Sequence, residues 1–161
     1  MKKILLLSDT HSYLDPKVIK YAETVDELWH AGDIGDLKVI DSLKKIKPIQ
    51  GVYGNIDGTE IRKEFAKDLI FNCEGVKVFI THIGGYPTKY APKIIEKIKL
   101  YQPQLFICGH SHILKVMYDK NLNVLHLNPG AAGKYGIHTK QTMLRFMIDQ
   151  KEIKNLEIVE W

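Results

Sequence analysis

The sequence predicts an α/β fold on three observations. Short apolar runs alternate with helical periods through the first third of the chain, in the order βαβαβ. The end of the chain carries strand patterns almost without interruption. Aspartate, asparagine and histidine gather just past the apolar runs rather than within them. An opening βαβαβ implies a parallel sheet, because parallel neighbours need crossover connections.

Lys3 to Ser8 is a continuous apolar run closed by Asp9, the pattern of a strand covered by helices on both faces. Asp15-Pro16 supplies an N-cap and a first-turn proline, and Val18, Ile19, Ala22 and Val25 follow at helical spacing, predicting a helix over 16–25. Glu27 to Ala31 reads as a second strand. Asp36 caps a helix carrying Val39, Ile40 and Leu43, and Pro48 to Tyr53 makes a third strand. Asp68 to Asn72 and Val76 to Thr81 flank Cys73-Glu74-Gly75 as a hairpin. Pro92 to Tyr101 is amphipathic, with Ile94, Ile95, Ile98 and Tyr101 at helical spacing, and Leu105 to Cys108 is a short buried strand. Leu114 to Tyr118, Val124 to Leu127, Thr142 to Ile148 and Ile153 to Val159 complete the strands.

No linker, repeat or low-complexity segment divides the 161 residues, so one domain over 1–161 is expected, and 45% hydrophobic residues suffice for its core. The 23 basic and 19 acidic residues give a formal charge of +4, with the basic ones spread along the chain. That mildly favours anionic ligands and excludes a dedicated nucleic-acid-binding stripe. Met1-Lys2-Lys3 followed by Ile4 to Leu7 opens like a signal peptide, but the apolar run breaks at Ser8-Asp9. No apolar stretch approaches the roughly 18 residues of a membrane helix, so no membrane association is expected. Cys73 and Cys108 lie far apart in apolar segments, as buried thiols of a reducing compartment do; the cytoplasm is the expected location.

The chemistry-bearing residues come in five groups after strands: Asp9 and His11, Asp33, Asn55 and Asp57, His82, and His110 with His112. Open α/β sheets bind ligands at this end of their strands. In extended backbone, residues two apart point the same way, so Asp9 with His11, and His110 with His112, can each aim two ligands into one space. Gly32, Gly54 and Gly109 precede three of the groups, where glycine permits a tight or left-handed turn. Each group alone has an ordinary use as a capping turn, a loop residue or a packed core histidine. Their common placement in one order along five segments sets them apart. Carboxylate, amide and imidazole together suit borderline first-row ions such as Mn²⁺, Fe²⁺, Ni²⁺ or Zn²⁺.

The motifs Asp9-Thr10-His11, Gly32-Asp33, Gly54-Asn55-Ile56-Asp57, Thr81-His82, Gly109-His110-Ser111-His112 and Asn128-Pro129-Gly130-Ala131 together resemble the calcineurin-like metallophosphoesterase superfamily, in particular its small single-domain phosphodiesterases. The resemblance spans Ser8 to about Ala131. It implies a four-layer α-β-β-α sandwich with two divalent ions at its rim, Mn²⁺ favoured and Ni²⁺, Fe²⁺ or Zn²⁺ as alternatives. Carried over by position, Asp9, His11 and His112 bind one ion, Asn55, His82 and His110 bind the other, and Asp33 bridges them. Asn55 is also the catalytic candidate. The activity implied is hydrolysis of a small phosphate ester, a phosphodiester first, by a hydroxide bridging the two ions. Relatives often form dimers or larger assemblies, so a homo-oligomer is implied as well.

Two positions depart from the family pattern. Many relatives carry a histidine between the asparagine and the acid, where it can protonate the leaving group; here it is Ile56. General acid catalysis is worth about 10²- to 10⁴-fold, so its absence favours activated esters. Ile83 follows His82 where many relatives have glycine. A turn or supporting role is expected for Asp57, His30 and His126 are expected to pack, and Ser111 is a small spacer. Lys89, Lys93, Lys134 and Lys140 are expected to be solvated, and Tyr86, Tyr90 and the Gly84-Gly85 loop are candidates for the substrate pocket. The alternatives are a phosphomonoesterase and a non-catalytic interaction module, since a eukaryotic retromer subunit has this fold with an impaired metal site.

Overall fold

A computed structural model describes residues 1–161. Three parallel strands, β1 (Lys2–Leu7), β2 (Glu27–His30) and β3 (Ile49–Gly51), alternate with α1 (Pro16–Ala22) and α2 (Leu37–Lys44), as the opening pattern predicts. Both helices begin at the expected caps: the Asp15 carboxylate accepts from the Lys17 N–H at 2.8 Å, and that of Asp36 from the Lys38 N–H at 2.9 Å. Each satisfies one of the donors a helix start leaves free. α1 ends at Ala22, short of residue 25, yet Val25 still reaches the core.

The chain continues through α3 (Thr59–Glu64) into the hairpin β4 (Asp68–Cys73) and β5 (Val76–Thr81). Cys73 pairs with Val76, so the turn is Glu74-Gly75 alone, with φ of 48° and 83°. Two left-handed residues match the twist of paired strands, and Gly75 takes the more demanding place without strain. A ribbon, β6 (Gly85–Tyr86) with β7 (Lys89–Tyr90), leads to α4 (Ile94–Tyr101), β8 (Leu105–Ile107), β9 (Leu114–Asp119), β10 (Val124–Pro129), β11 (Thr142–Asp149) and β12 (Glu152–Glu160). α3 and the ribbon carry no signal in the sequence: α3 has six residues and no side-chain cap, and each ribbon strand has two.

Two five-stranded sheets result, ordered β12-β11-β1-β2-β3 and β4-β5-β8-β10-β9. The first carries its parallel strands β1, β2 and β3 on one side and the antiparallel β11 and β12 on the other, whereas the second has a parallel centre, β5-β8-β10, flanked by antiparallel β4 and β9. Alternation along β1 divides the core. Ile4 and Leu6 face the second sheet, packing with Trp29, Phe146, Val78, Ile80, Leu105 and Ile107. Leu5 and Leu7 face the helices, meeting Val18 of α1, Val39, Ile40 and Leu43 of α2, and Ile61 of α3. On the far side, Ile94 and Ile98 of α4 cover Phe79 and Phe106. The order helix, sheet, sheet, helix is the four-layer sandwich. The expectation that helices cover both faces of β1 is corrected, because its inner face meets a sheet. A continuous apolar run reports burial on two sides without saying what covers them.

His126 on β10 is fully buried beside Phe106, with ring centroids 5.7 Å apart, and neither ring nitrogen has a hydrogen-bond partner in the protein. Burial, with Lys115 as the next contribution, pushes its pKa down from 6.5 to about 4. Between those values the unfolded chain holds a proton on this residue that the folded protein does not, so stability falls as pH drops through the window. The shift corresponds to roughly 3 kcal/mol at full development. His126→Leu is expected to move the acid-unfolding midpoint of the metal-free protein to lower pH, read by circular dichroism at fixed urea; an unmoved midpoint contradicts this assignment.

Candidate metal centre

The parallel strands of both sheets end on one rim, and the seven predicted residues follow them: Asp9 and His11 after β1, Asp33 after β2, Asn55 after β3, His82 after β5, and His110 and His112 after β8. The ligand atoms of Asp9, His11 and His112 lie within 4.8 Å of one another, and so do those of Asp33, His82 and His110. The two groups adjoin. Asp33 Oδ2 is 3.4 Å from His11 Nε2 of the first and 3.2 Å from His82 Nε2 of the second. One carboxylate oxygen thus sits between the two halves, the position a bridging ligand requires.

Each carboxylate is held by one oxygen. Asp9 Oδ2 accepts from the Ser8 hydroxyl at 2.6 Å and the His110 N–H at 3.0 Å, and Asp33 Oδ1 accepts from the Ile56 N–H at 3.0 Å. The other oxygens turn to the imidazoles, with Asp9 Oδ1 lying 3.2 Å from His112 Nε2, 3.7 Å from His11 Nε2 and 3.9 Å from His82 Nε2. His82 Nδ1 faces the Ala31 carbonyl at 2.7 Å and donates to it, which leaves the Nε2 lone pair free. Asp9 Oδ1, His11 Nε2 and His82 Nε2 are buried without a hydrogen-bond partner. Buried polar atoms are rarely left so, and three converging from separate elements fit a divalent cation.

The electrostatics agree with that fit. Burial alone would raise the Asp9 carboxyl, but the imidazoles of His11, His112 and His82 outweigh it and hold the group well below the usual carboxylate range. Asp33 is likewise lowered against its burial, chiefly by His82. Burial opposes charge on His82, yet Asp33 and Asp9 raise it above its ordinary value, and the Asp9 contact raises His112. The neighbouring carboxylates thus favour positive charge at these two rings, and a divalent cation would supply that charge in place of a proton.

The route by which pairs of ligands converge differs from the expectation. Asp9, His11, Asp33, His110 and His112 have φ of 54°, 44°, 54°, 70° and 62°. They are left-handed turns rather than extended strand ends, so alternation does not aim them. Asp and His tolerate this region better than most residues, and such strain persists where surrounding bonds enforce it. Of the preceding glycines only Gly32 is left-handed, at 98°. Gly54 and Gly109 are required by proximity: a Cβ at Gly54 would overlap the Asp33 carboxylate and backbone nitrogen, and one at Gly109 would overlap the Ser8 hydroxyl and Asp9.

Around these groups Asp57 ties the loops together, its carboxylate accepting from the N–H groups of Ile34, Gly35 and Gly54. His30 is buried between the Thr10 hydroxyl and the Gly32 N–H, and Ser111 accepts from Ile113 and Asn128. Both cysteines are free and buried, and burial pushes the Cys108 thiol up to about 12. Two aromatic residues went unforeseen: Tyr135 stacks on His11 with centroids 4.8 Å apart, and His138 meets His112 edge-on at 5.2 Å. They reach the rim on the long connection between β10 and β11, which has no periodic signal. Asn55 is exposed and lines a 400 Å³ pocket with His82, Ile83, Arg62, Lys67 and Pro92. Tyr86 lines a separate pocket, and Tyr90 is bonded to Asp119, so neither contributes to this one.

Gly54→Ala is expected to lower divalent-metal affinity at least about tenfold by displacing Asp33, while far-ultraviolet circular dichroism stays native. Calorimetric titration with Mn²⁺ checks this, and wild-type affinity would remove the role given to the Gly54 approach.

Residues 1–151 match the Calcineurin-like phosphoesterase superfamily domain. A probable metallophosphoesterase of Methanocaldococcus jannaschii is 30% identical, the alignment covering 96% of this chain and 81% of that protein. Among solved structures, an archaeal phosphodiesterase superposes with a TM-score of 0.75 at 26% identity, covering 98% of this chain and 99% of that one. Vacuolar Protein Sorting 29 of Cryptosporidium parvum superposes with a TM-score of 0.71 at 17% identity, covering 99% and 97%. The family match over nearly the whole chain and the ligand groups at one sheet rim lead to one conclusion: this chain belongs to the calcineurin-like phosphoesterase superfamily, whose members use divalent metal ions.

Proposed function

We propose that this chain hydrolyses a small phosphodiester with two divalent metal ions, Mn²⁺ first, held by Asp9, His11, Asp33, Asn55, His82, His110 and His112. The observation that carries this reading is the convergence of Asp9 Oδ1, His11 Nε2 and His82 Nε2, buried and unpartnered, about the shared oxygen of Asp33. Bound ions supply a water activated as nucleophile and a positive centre for the phosphoryl oxygens. Asp33 spans the two ligand groups and fixes their spacing. His82 keeps its donor nitrogen on Ala31 and presents the other as a ligand. Asn55 is exposed and lines the pocket beside His82, which supports assigning it to the second group and to the substrate.

Ile56 is 47% exposed at the rim and has no proton to give, so leaving groups that need protonation suffer. The likeness to an archaeal phosphodiesterase supports diesters over monoesters. The likeness to Vacuolar Protein Sorting 29 favours the second reading, a non-catalytic interaction module, against which the two convergent Asp and His ligand groups argue. The expected setting is cytoplasmic, with reduced Cys73 and Cys108 and self-association of the chain; no helix is long and apolar enough to cross a membrane.

Chelator-stripped protein is expected to cleave neither bis(p-nitrophenyl) phosphate nor p-nitrophenyl phosphate, and added Mn²⁺ is expected to restore the diester reaction above the monoester one. Ni²⁺, Zn²⁺ and Mg²⁺, tested singly, rank the alternatives. Stoichiometric metal binding without turnover would favour the interaction module. Asp33→Ala should abolish the restored reaction, and wild-type turnover in that variant would sink the bridging role. Ile56→His is expected to raise turnover of esters with poor leaving groups, within the roughly 10²- to 10⁴-fold range of a general acid, and to raise activated esters less. Equal gains across a leaving-group series would reject the missing-donor explanation.

A further inference from the structure

The 400 Å³ pocket beside Asn55 and His82 is larger than a phosphoryl group alone needs, and falls in the size range of small-molecule sites. Three cations line it, Arg62, Lys67 and Lys97. Lys97 is neutralised by Asp68 at 2.6 Å. Arg62 and Lys67 have no carboxylate partner. Arg62 is nonetheless fixed in place: its Nε donates to the Asp57 carbonyl at 2.7 Å, and its guanidinium lies over the Tyr53 ring at 4.4 Å. These contacts leave both terminal nitrogens of the fork without a protein acceptor. Ordering a long side chain in advance removes an entropic cost that a ligand would otherwise meet. The carbonyl that holds Arg62 belongs to the residue whose carboxylate ties together the loops after β2 and β3, so the cation is built into the same framework as Asp33. Ile83, 46% exposed, and Pro92 add an apolar wall.

We propose that this pocket binds a second phosphate on the organic part of the substrate, with Arg62 as the anchoring residue and Lys67 as a supporting charge. The proposal rests on the phosphoesterase reading and narrows its substrate class to esters that carry a further phosphomonoester group beside the scissile one. A planar, doubly donating guanidinium suits phosphate geometry, whereas Lys67 acts as a mobile point charge. The apolar wall accommodates the carbon framework joining the two phosphates.

The test uses Mn²⁺-loaded protein and two probes that differ by one group, thymidine 3′,5′-bisphosphate and thymidine 5′-monophosphate, titrated by calorimetry. Wild type is expected to bind the bisphosphate about tenfold more tightly, the size of one charge-assisted contact. The preference should shrink as salt rises, because both cations meet solvent. Arg62→Gln is expected to bring the two affinities within about twofold, Arg62→Lys to retain part of the difference, and Lys67→Gln to reduce it less than Arg62→Gln. Circular dichroism and bound Mn²⁺ per chain check that each variant keeps its fold and its metal. No binding of the bisphosphate, equal affinities in wild type, or an unchanged preference in the Arg62→Gln/Lys67→Gln double variant overturns the proposal. The p-nitrophenyl esters of the two nucleotides separate this from the parent reading. A binding preference without release of nitrophenol would leave the pocket standing and remove the phosphoesterase; cleavage of both esters at one rate with equal affinities would do the reverse.

Discussion

The rim of this protein depends on dividing each buried carboxylate into a held oxygen and a presented one. Ser8 and the His110 N–H fix one side of Asp9, and the Ile56 N–H fixes one side of Asp33. The remaining oxygens then have a single direction available, toward the imidazoles. Burying two carboxylates together is unfavourable without positive charge nearby, and the pair favours that charge on the rings of His82 and His112, whose pKa values it raises. A divalent ion supplies more of that charge in less space. The ligands need little reorganisation to accept it, because donors from the backbone have already set their directions.

Those donors are available because two sheets end at one level. The inner residues of β1 and β2 pack on those of β5, β8 and β10, which fixes the first sheet against the second across a buried apolar interface. Asp9 and Asp33 come from one sheet, His82 and His110 from the other, and small shifts between the layers would separate them. The glycines mark where the layers come closest. Gly109 from the second sheet rests against Ser8 and Asp9 of the first, and Gly54 from the first rests against the His82 ring of the second as well as Asp33 of its own sheet. Side chains there would hold the loops apart and spread the ligand atoms.

Strain and charge are concentrated on this rim. Five of the seven ligand candidates occupy left-handed backbone, a region that most side chains avoid. The hydrogen-bonded loops around them, with Asp57 joining three N–H groups, hold that geometry in place. Beside it, Arg62 is oriented by the Asp57 carbonyl and the Tyr53 ring. One aspartate therefore links the turn that carries Asp33, the turn that carries Asn55 and the principal cation of the adjoining pocket. Electrostatic attraction for an anionic ester and the placement of the metal ligands share a common support.

The fold was legible wherever period and caps agreed. Continuous apolar runs marked β1 and β8, and Asp15-Pro16 and Asp36 marked the helix starts. All seven ligand candidates were visible as polar residues after strands, and the structure brings six of them into two groups and leaves Asn55 at the exposed edge. Short elements were not legible: α3 spans fewer than two turns without a side-chain cap, and the ribbon strands are too brief to show alternation. Arg62 and Lys67 look like ordinary surface cations in a chain with 23 basic residues, and only α3 and the loop after it bring them beside His82. By itself the sequence determined the layered α/β class, the order of elements and the ligand types, because local hydrophobic period and residue chemistry are properties of neighbours along the chain. Tertiary structure alone decided that a sheet covers the inner face of β1, that the ligands turn inward through left-handed backbone, that Tyr135 and His138 join the rim, and that two cations without a carboxylate partner, Arg62 and Lys67, line the pocket. Each of those depends on contacts between residues far apart in sequence, which no local pattern encodes.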